Sequence, residues 1–199
     1  MTDNPATPTN PDVHEVQEPP APLSMRDMVW DLLKRILVIL VLYFLVDIVI
    51  ARVRVENISM YPTVVEGEIL IVNKLAYKLG EMQRGDIITF HFPLEPQVDY
   101  IKRLVGLPGD MVEVKDQHVI VNGTQLNEPY IVTPPEYEGS WSVPTDSIFA
   151  LGDNRNDSAD SHVWGFVPTE NLIGKALVVY WPINHMRILG HADVMSSAN

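Results

Sequence analysis

The hydrophobic pattern changes character once along the chain. Leu32 to Ala51 reads LLKRILVILVLYFLVDIVIA, an almost unbroken apolar run, and beyond it come short β-branched stretches broken by Gly, Pro and Asn. Twenty residues of helix rise about 1.5 Å each and reach about 30 Å, the thickness of a bilayer's hydrocarbon core. The run therefore predicts a membrane anchor over 32–51. Its uninterrupted part, Ile36 to Ile50, is short and carries Asp47. Lys34 and Arg35 can stretch their stems along the lipid toward the headgroups, and Asp47 falls near the far interface, where a carboxylate costs less than at mid-bilayer. A cleavable signal peptide fits poorly, because the run begins late, follows an acidic tail and lacks a small-x-small exit. Charge hardly orients the anchor: Arg26, Lys34 and Arg35 precede it, and Arg52 and Arg54 follow.

Past the anchor, period-two and β-branched runs predict strands at 52–55, 69–73, 86–92, 100–105, 111–115, 118–121, 148–152 and 176–181. Val121-Asn122-Gly123-Thr124 is a hairpin signal and Leu107-Pro108-Gly109-Asp110 a turn. Only 74–80 looks fit for a turn of helix. The expected fold class is mainly β: one N-terminal transmembrane helix, then a β-rich domain of antiparallel sheets over 52–189, with a small hairpin insertion around 110–149. Residues 1–24, rich in Pro, Asp, Glu and Thr, bury too little apolar surface to offset their chain entropy and read as a disordered tail. Residues 190–199 look similarly loose.

Composition narrows the chemistry. The 199 residues carry a net charge of −12 and no cysteine. Such acidity argues against nucleic acid and against peripheral attachment to anionic lipid. Lack of cysteine removes a thiol nucleophile, a disulfide scaffold and thiolate metal ligands.

Three polar clusters remain. Ser59 stands eight residues beyond the anchor, inside Asn57-Ile58-Ser59-Met60-Tyr61-Pro62-Thr63. An extended link of that length spans at most about 26 Å, so this serine stays close to the lipid. It lacks the G-x-S-x-G elbow, and a lone serine is a surface hydroxyl far more often than a nucleophile. In Asp99–Val105 the alternation of a strand sends Tyr100, Lys102 and Leu104 one way and Ile101, Arg103 and Val105 the other. Both faces are largely apolar, so one cation is expected on the core side. There Lys102 would lose hydration and become less basic, whereas a solvated lysine with a buried stem is the bland alternative. The third cluster, Gly152–His162, places Arg155, Ser158 and Trp164 where a calcium loop starting at Asp153 needs an acid or amide, a glycine and a glutamate. The calcium reading fails, which leaves an Asx-rich loop bonding its own backbone or something more specific.

Together these segments resemble one family. S-M-Y-P-T (59–63), R-G-D-I-I-T-F (84–90), Y-I-K-R-L-V-G-L-P-G-D (100–110) and G-D-N-R-N-D-S-A-D-S (152–161) are similar, in that order and behind an anchor, to bacterial type I signal peptidases, whose β-rich fold is shared with self-cleaving repressors. The resemblance implies a Ser/Lys serine endopeptidase with Ser59 as nucleophile and Lys102 as general base. It implies that Ser158 hydrogen-bonds the lysine, and that Arg103, Asp153, Asn154, Arg155 and Asp160 support the site. A second oxyanion donor is expected two places before the nucleophile, where this chain has Asn57 instead of the usual serine. His162 likewise replaces an arginine that pairs with Asp160. Val53, Val55, Met60, Val64, Tyr100 and Ile101 match the pocket positions that select small residues before the cut. The implied partners are signal peptides of exported preproteins, the lipid bilayer and the secretion translocon, with no nucleic acid, and the resemblance implies no metal or organic cofactor. The implied location is the bacterial plasma membrane, with a single pass, a cytoplasmic tail and the catalytic domain outside. The alternative is an inactive or self-cleaving Ser/Lys peptidase-like membrane module.

Overall fold

The computed structural model describes residues 24–194. Helix α1 runs from Met25 to Val49. Ser24 caps it, its hydroxyl accepting from the Asp27 N–H at 3.2 Å and donating to the Asp27 carboxylate at 2.7 Å. The expected tail disorder lies, but for Ser24, outside the described residues. No side chain of α1 is buried. Lys34, Arg35 and Asp47 interrupt its apolar surface, and among the described residues no helix is long and apolar enough to cross a membrane. The helix also starts earlier and stops sooner than the expected span of 32–51, because Ile50 and Ala51 are already strand. Among the described residues the chain divides into two units within α1, after Leu42.

The second unit is mainly β, as expected. In chain order it holds β1 (Ile50–Arg54), β2 (Ile69–Asn73), the short α2 (Ala76–Leu79), β3 (Ile87–Phe92), β4 (Glu95–Gly106), β5 (Met111–Lys115), β6 (His118–Val121), β7 (Thr124–Gln125), β8 (Gly139–Ser142), β9 (Ser147–Leu151), α3 (Ser161–Trp164), β10 (Val167–Pro168), β11 (Leu172–Trp181) and β12 (Arg187–Ile188). The larger sheet runs β1-β2-β11-β3-β4-β9-β10 with β12 on β11, and the smaller runs β7-β6-β5-β8. Every pairing is antiparallel. The smaller sheet lies within residues 111–142, and Asn122 and Gly123, both at positive φ, turn its hairpin.

β4 sits between β3 and β9 and is covered on both faces. Ile101 joins a core of Val55, Met60, Val64, Leu70, Val72 and Ala176, while Leu104 joins Ile88, Phe90, Ile148 and Ala150. Both cations of β4, Lys102 and Arg103, are consequently buried, where one was expected. The strand also starts five residues before the predicted Tyr100, as Glu95–Asp99 continues the hairpin with β3 on an exposed edge. Residues 190–194, expected to be loose, pack instead: Val194 is 2 % exposed and bonds Asn127, and a side chain on Gly85 would run into the Ala192 carbonyl.

Candidate active site

The loop that carries Ser59 follows β1 and is closed on itself before β2 begins. Val55 N–H donates to the Glu68 carbonyl and Gly67 N–H to that of Val55, each at 2.9 Å. Met60 and Val64, fully buried, anchor the loop in the core. Its outer end is tied twice. Asn154 donates from its backbone to the Ser59 carbonyl at 3.0 Å and from its side chain to the Ile58 carbonyl at 3.3 Å. Arg187, on β12, donates to the Thr63 carbonyl at 2.6 Å while gripping the buried Glu68 at 2.6 and 2.8 Å. Burial alone would make Glu68 harder to ionise. Hydrogen bonds from Arg187, the Val65 N–H and His185 outweigh it and hold the carboxyl below its ordinary range.

Ser59 and Lys102 meet in the interior, 6 % and 2 % exposed. Nζ of Lys102 lies 2.7 Å from Ser59 Oγ and 3.2 Å from the Ile101 carbonyl, over the face of Tyr100. Desolvation makes the lysine less basic and the negative fields of Asp160 and Asp153 oppose it, leaving its pKa lowered to about 8. At pH 7 about one molecule in ten then carries the neutral amine. A hydroxyl within hydrogen-bond reach of such an amine is the geometry of an activated nucleophile.

The 152–160 loop braces this pair. Asp153, fully buried, takes two bonds from Arg103 at 2.8 and 2.7 Å and a third from Thr63 Oγ1 at 2.5 Å. One carboxylate thus links the Ser59 loop to the strand that carries Lys102. Arg103 stacks 3.8 Å over Tyr130 of the insertion, and Arg155 donates to the Gly152 carbonyl and pairs bidentately with Glu128. Asp160 accepts from Gly152 N–H at 2.9 Å and from His162 Nδ1 at 2.6 Å, and the His162 ring lies flat on Tyr137. The aspartate therefore keeps a ring partner where the resembled family has arginine. Arg84 and Asp110, from the other two motifs, pair at 2.7 Å and fasten the β2–β3 connection to the turn after β4.

Two expectations need correcting. Ser158 lies inside the cluster, close enough that a side chain on Gly152 would strike its hydroxyl, but it gives Lys102 no hydrogen bond and its buried Oγ has no partner. Asn57 reaches the nucleophile as expected, yet offers its carbonyl: Oδ1 accepts from Ser59 N–H at 3.1 Å and from Ser59 Oγ–H at 2.7 Å. Glu68, Glu128, Tyr130, Tyr137 and Arg187 were missed. Each acts through a partner far off in sequence, which no local pattern announces.

A cleft of about 400 Å³ opens beside Ser59, and all six expected pocket residues, Val53, Val55, Met60, Val64, Tyr100 and Ile101, line it. The unpaired side of β1 and the first half of β4 form its rims. Ser59, Lys102, Asn57 and Tyr100 also border a smaller cavity of about 170 Å³.

The family described as signal peptidase, peptidase S26, matches residues 29–181. The chain is 48 % identical over 141 residues to the signal peptidase I of Leptolyngbya laminosa, covering 66 % of this chain and 69 % of the relative. It is 41 % identical over 174 residues to a probable signal peptidase I of Synechocystis, covering 81 % and 89 %. A solved signal peptidase I from Enterococcus faecalis overlaps 48 % of this chain and 97 % of its own, with 32 % identity and a TM-score of 0.45. The chain belongs to the signal peptidase family, peptidase S26, serine endopeptidases that remove signal peptides from exported preproteins, and within it to the bacterial type I enzymes.

Proposed function

We propose that this enzyme cuts preproteins with Ser59 as nucleophile and neutral Lys102 as general base, at the outer face of a bacterial plasma membrane. The observation that carries the reading is the buried Lys102–Ser59 contact of 2.7 Å. Lys102 takes the hydroxyl proton as Oγ adds to the scissile carbonyl carbon. The resulting ammonium returns that proton to the leaving amine as the tetrahedral intermediate collapses to the acyl-enzyme. Water, deprotonated by the same amine, then releases the signal peptide and regenerates Ser59. The Ser59 N–H and the Asn57 amide receive the oxyanion. Arg103, Asp153, Asn154, Arg155 and Asp160 hold these groups in place. Small side chains just before the cut fill the shallow apolar cleft between Val53, Val55, Met60, Val64, Tyr100 and Ile101.

α1 is the anchor in this reading. A helix with no buried side chain and an apolar circumference from Ile36 to Val46 has no stable place in water. Lys34 and Arg35 at one end and Asp47 at the other extend toward opposite headgroup layers. Ile58 and Tyr61, half exposed on either side of Ser59, suit a cleft that opens at the lipid surface. The tail then lies in the cytoplasm, and the translocon delivers substrate from the membrane side. Full-length enzyme in detergent should cleave a preprotein at its signal junction, and Ser59→Ala should leave the preprotein intact. Equal cleavage by both proteins would refute the assignment.

A further inference from the structure

The two hydrogen bonds on Asn57 fix more than its position. The Ser59 N–H can only donate, so the Asn57 atom 3.1 Å from it must be the carbonyl oxygen. That oxygen is an acceptor only, so the Ser59 hydroxyl, 2.7 Å away, directs its proton to Asn57. Lys102 Nζ, on the other side of Oγ, is then the donor in its own contact with the serine. Both groups that a substrate carbonyl must engage are already engaged by a carbonyl of the enzyme. The Asn57 amide nitrogen has no hydrogen-bond partner among the described residues.

We infer that Asn57 is a latch on the nucleophile: its side-chain carbonyl occupies the oxyanion position in the free enzyme, and a substrate carbonyl must displace it before Ser59 can attack. The inference rests on the Ser59 assignment above and adds a step to it. While the latch is closed the serine proton points away from its base, so the hydroxyl is idle even when Lys102 is neutral. Displacement frees the hydroxyl to donate to Lys102 and exchanges one carbonyl for another on the Ser59 N–H. The exchange nearly conserves hydrogen bonds, so the latch holds back empty enzyme while costing a well-seated substrate little. Asn57 is thus a positioning residue in the free enzyme, distinct from any donor role of its amide in the transition state.

Two substitutions separate those roles, because neither product carries an amide donor. Asn57→Asp keeps an acceptor on the Ser59 N–H, and Asn57→Ala removes it. The first readout needs no substrate. Full-length protein labelled with ¹⁵N-serine in detergent micelles should show a Ser59 amide protected from hydrogen exchange in wild type and in Asn57→Asp, and unprotected in Asn57→Ala. The Ser59 signal is assigned by its loss in Ser59→Ala. The second is kinetic: KM for a preprotein should be about fivefold lower in Asn57→Ala than in Asn57→Asp, the worth of one net hydrogen bond. In variants this slow, KM approaches the dissociation constant. A Ser59 amide unaltered by Asn57→Ala, or equal KM values in the two variants, overturns the latch. Failure of wild type to cleave preprotein would instead strike the functional reading and leave the amide measurement decisive.

Discussion

Lys102 shows what a buried base costs its own fold. Its pKa drops from 10.5 to about 8, which at about 1.4 kcal/mol per unit amounts to about 3 kcal/mol. Between those two values the unfolded chain binds the proton and the folded one does not, so stability rises with pH across that interval. Below pH 8 the whole penalty is present, because folded and unfolded chains are both charged. Lys102→Met should therefore raise stability by up to about 3 kcal/mol at pH 7, with the gain fading as pH climbs toward 10.5. Denaturant unfolding of both proteins at a series of pH values measures this. A lysine that stabilised the fold would give the opposite sign. Ser59 and Lys102 were legible in the sequence because short motifs carry them. The carbonyl-first orientation of Asn57 was not, since a side-chain rotamer answers to neighbours that sequence does not place.

The elements around β4 explain how serine and lysine, 43 positions apart, stay within bonding distance. Arg103 follows the base on β4 and binds Asp153, which binds Thr63 of the nucleophile loop. Removing one partner of a buried ion pair leaves an uncompensated charge and typically costs about 3–5 kcal/mol. Arg103→Met should destabilise the enzyme by that order. Pairing it with Asp153→Leu should restore much of the loss without restoring activity, because the nucleophile loop has then lost its brace. Chemical denaturation and preprotein cleavage of the single and double variants test both halves. A single variant within about 1 kcal/mol of wild type would show that the pair does not hold the site. The strands that make this frame were readable wherever Val, Ile and Phe alternate or cluster, as in β2, β3, β5 and β6. β7, β8, β10 and β12 were not, being two to four residues long and held by pairing alone. Glu95–Asp99 was missed because its polar residues and Pro96 lie on an exposed edge, where no hydrophobic period is imposed.

The whole molecule joins a peptidase domain to a helix that water does not favour. β1 begins one residue after α1 ends, and Lys74, following β2, donates to the Asp47 carbonyl near the helix's last turn. The apolar run was plain in the sequence, but its boundaries were not, because Ile50 and Ala51 serve equally as lipid-facing helix and as strand, and pairing with Asn73 and Val72 decides. The measurement that tests the central claim most directly is preprotein cleavage by full-length enzyme in proteoliposomes, with and without Lys102→Ala, across pH. A neutral buried lysine as base predicts that kcat/KM rises with pH about a midpoint near 8, and that Lys102→Ala loses activity at every pH. Lys102→Ala retaining more than about a tenth of wild-type activity, or a rate that falls as pH rises through 8, would contradict it.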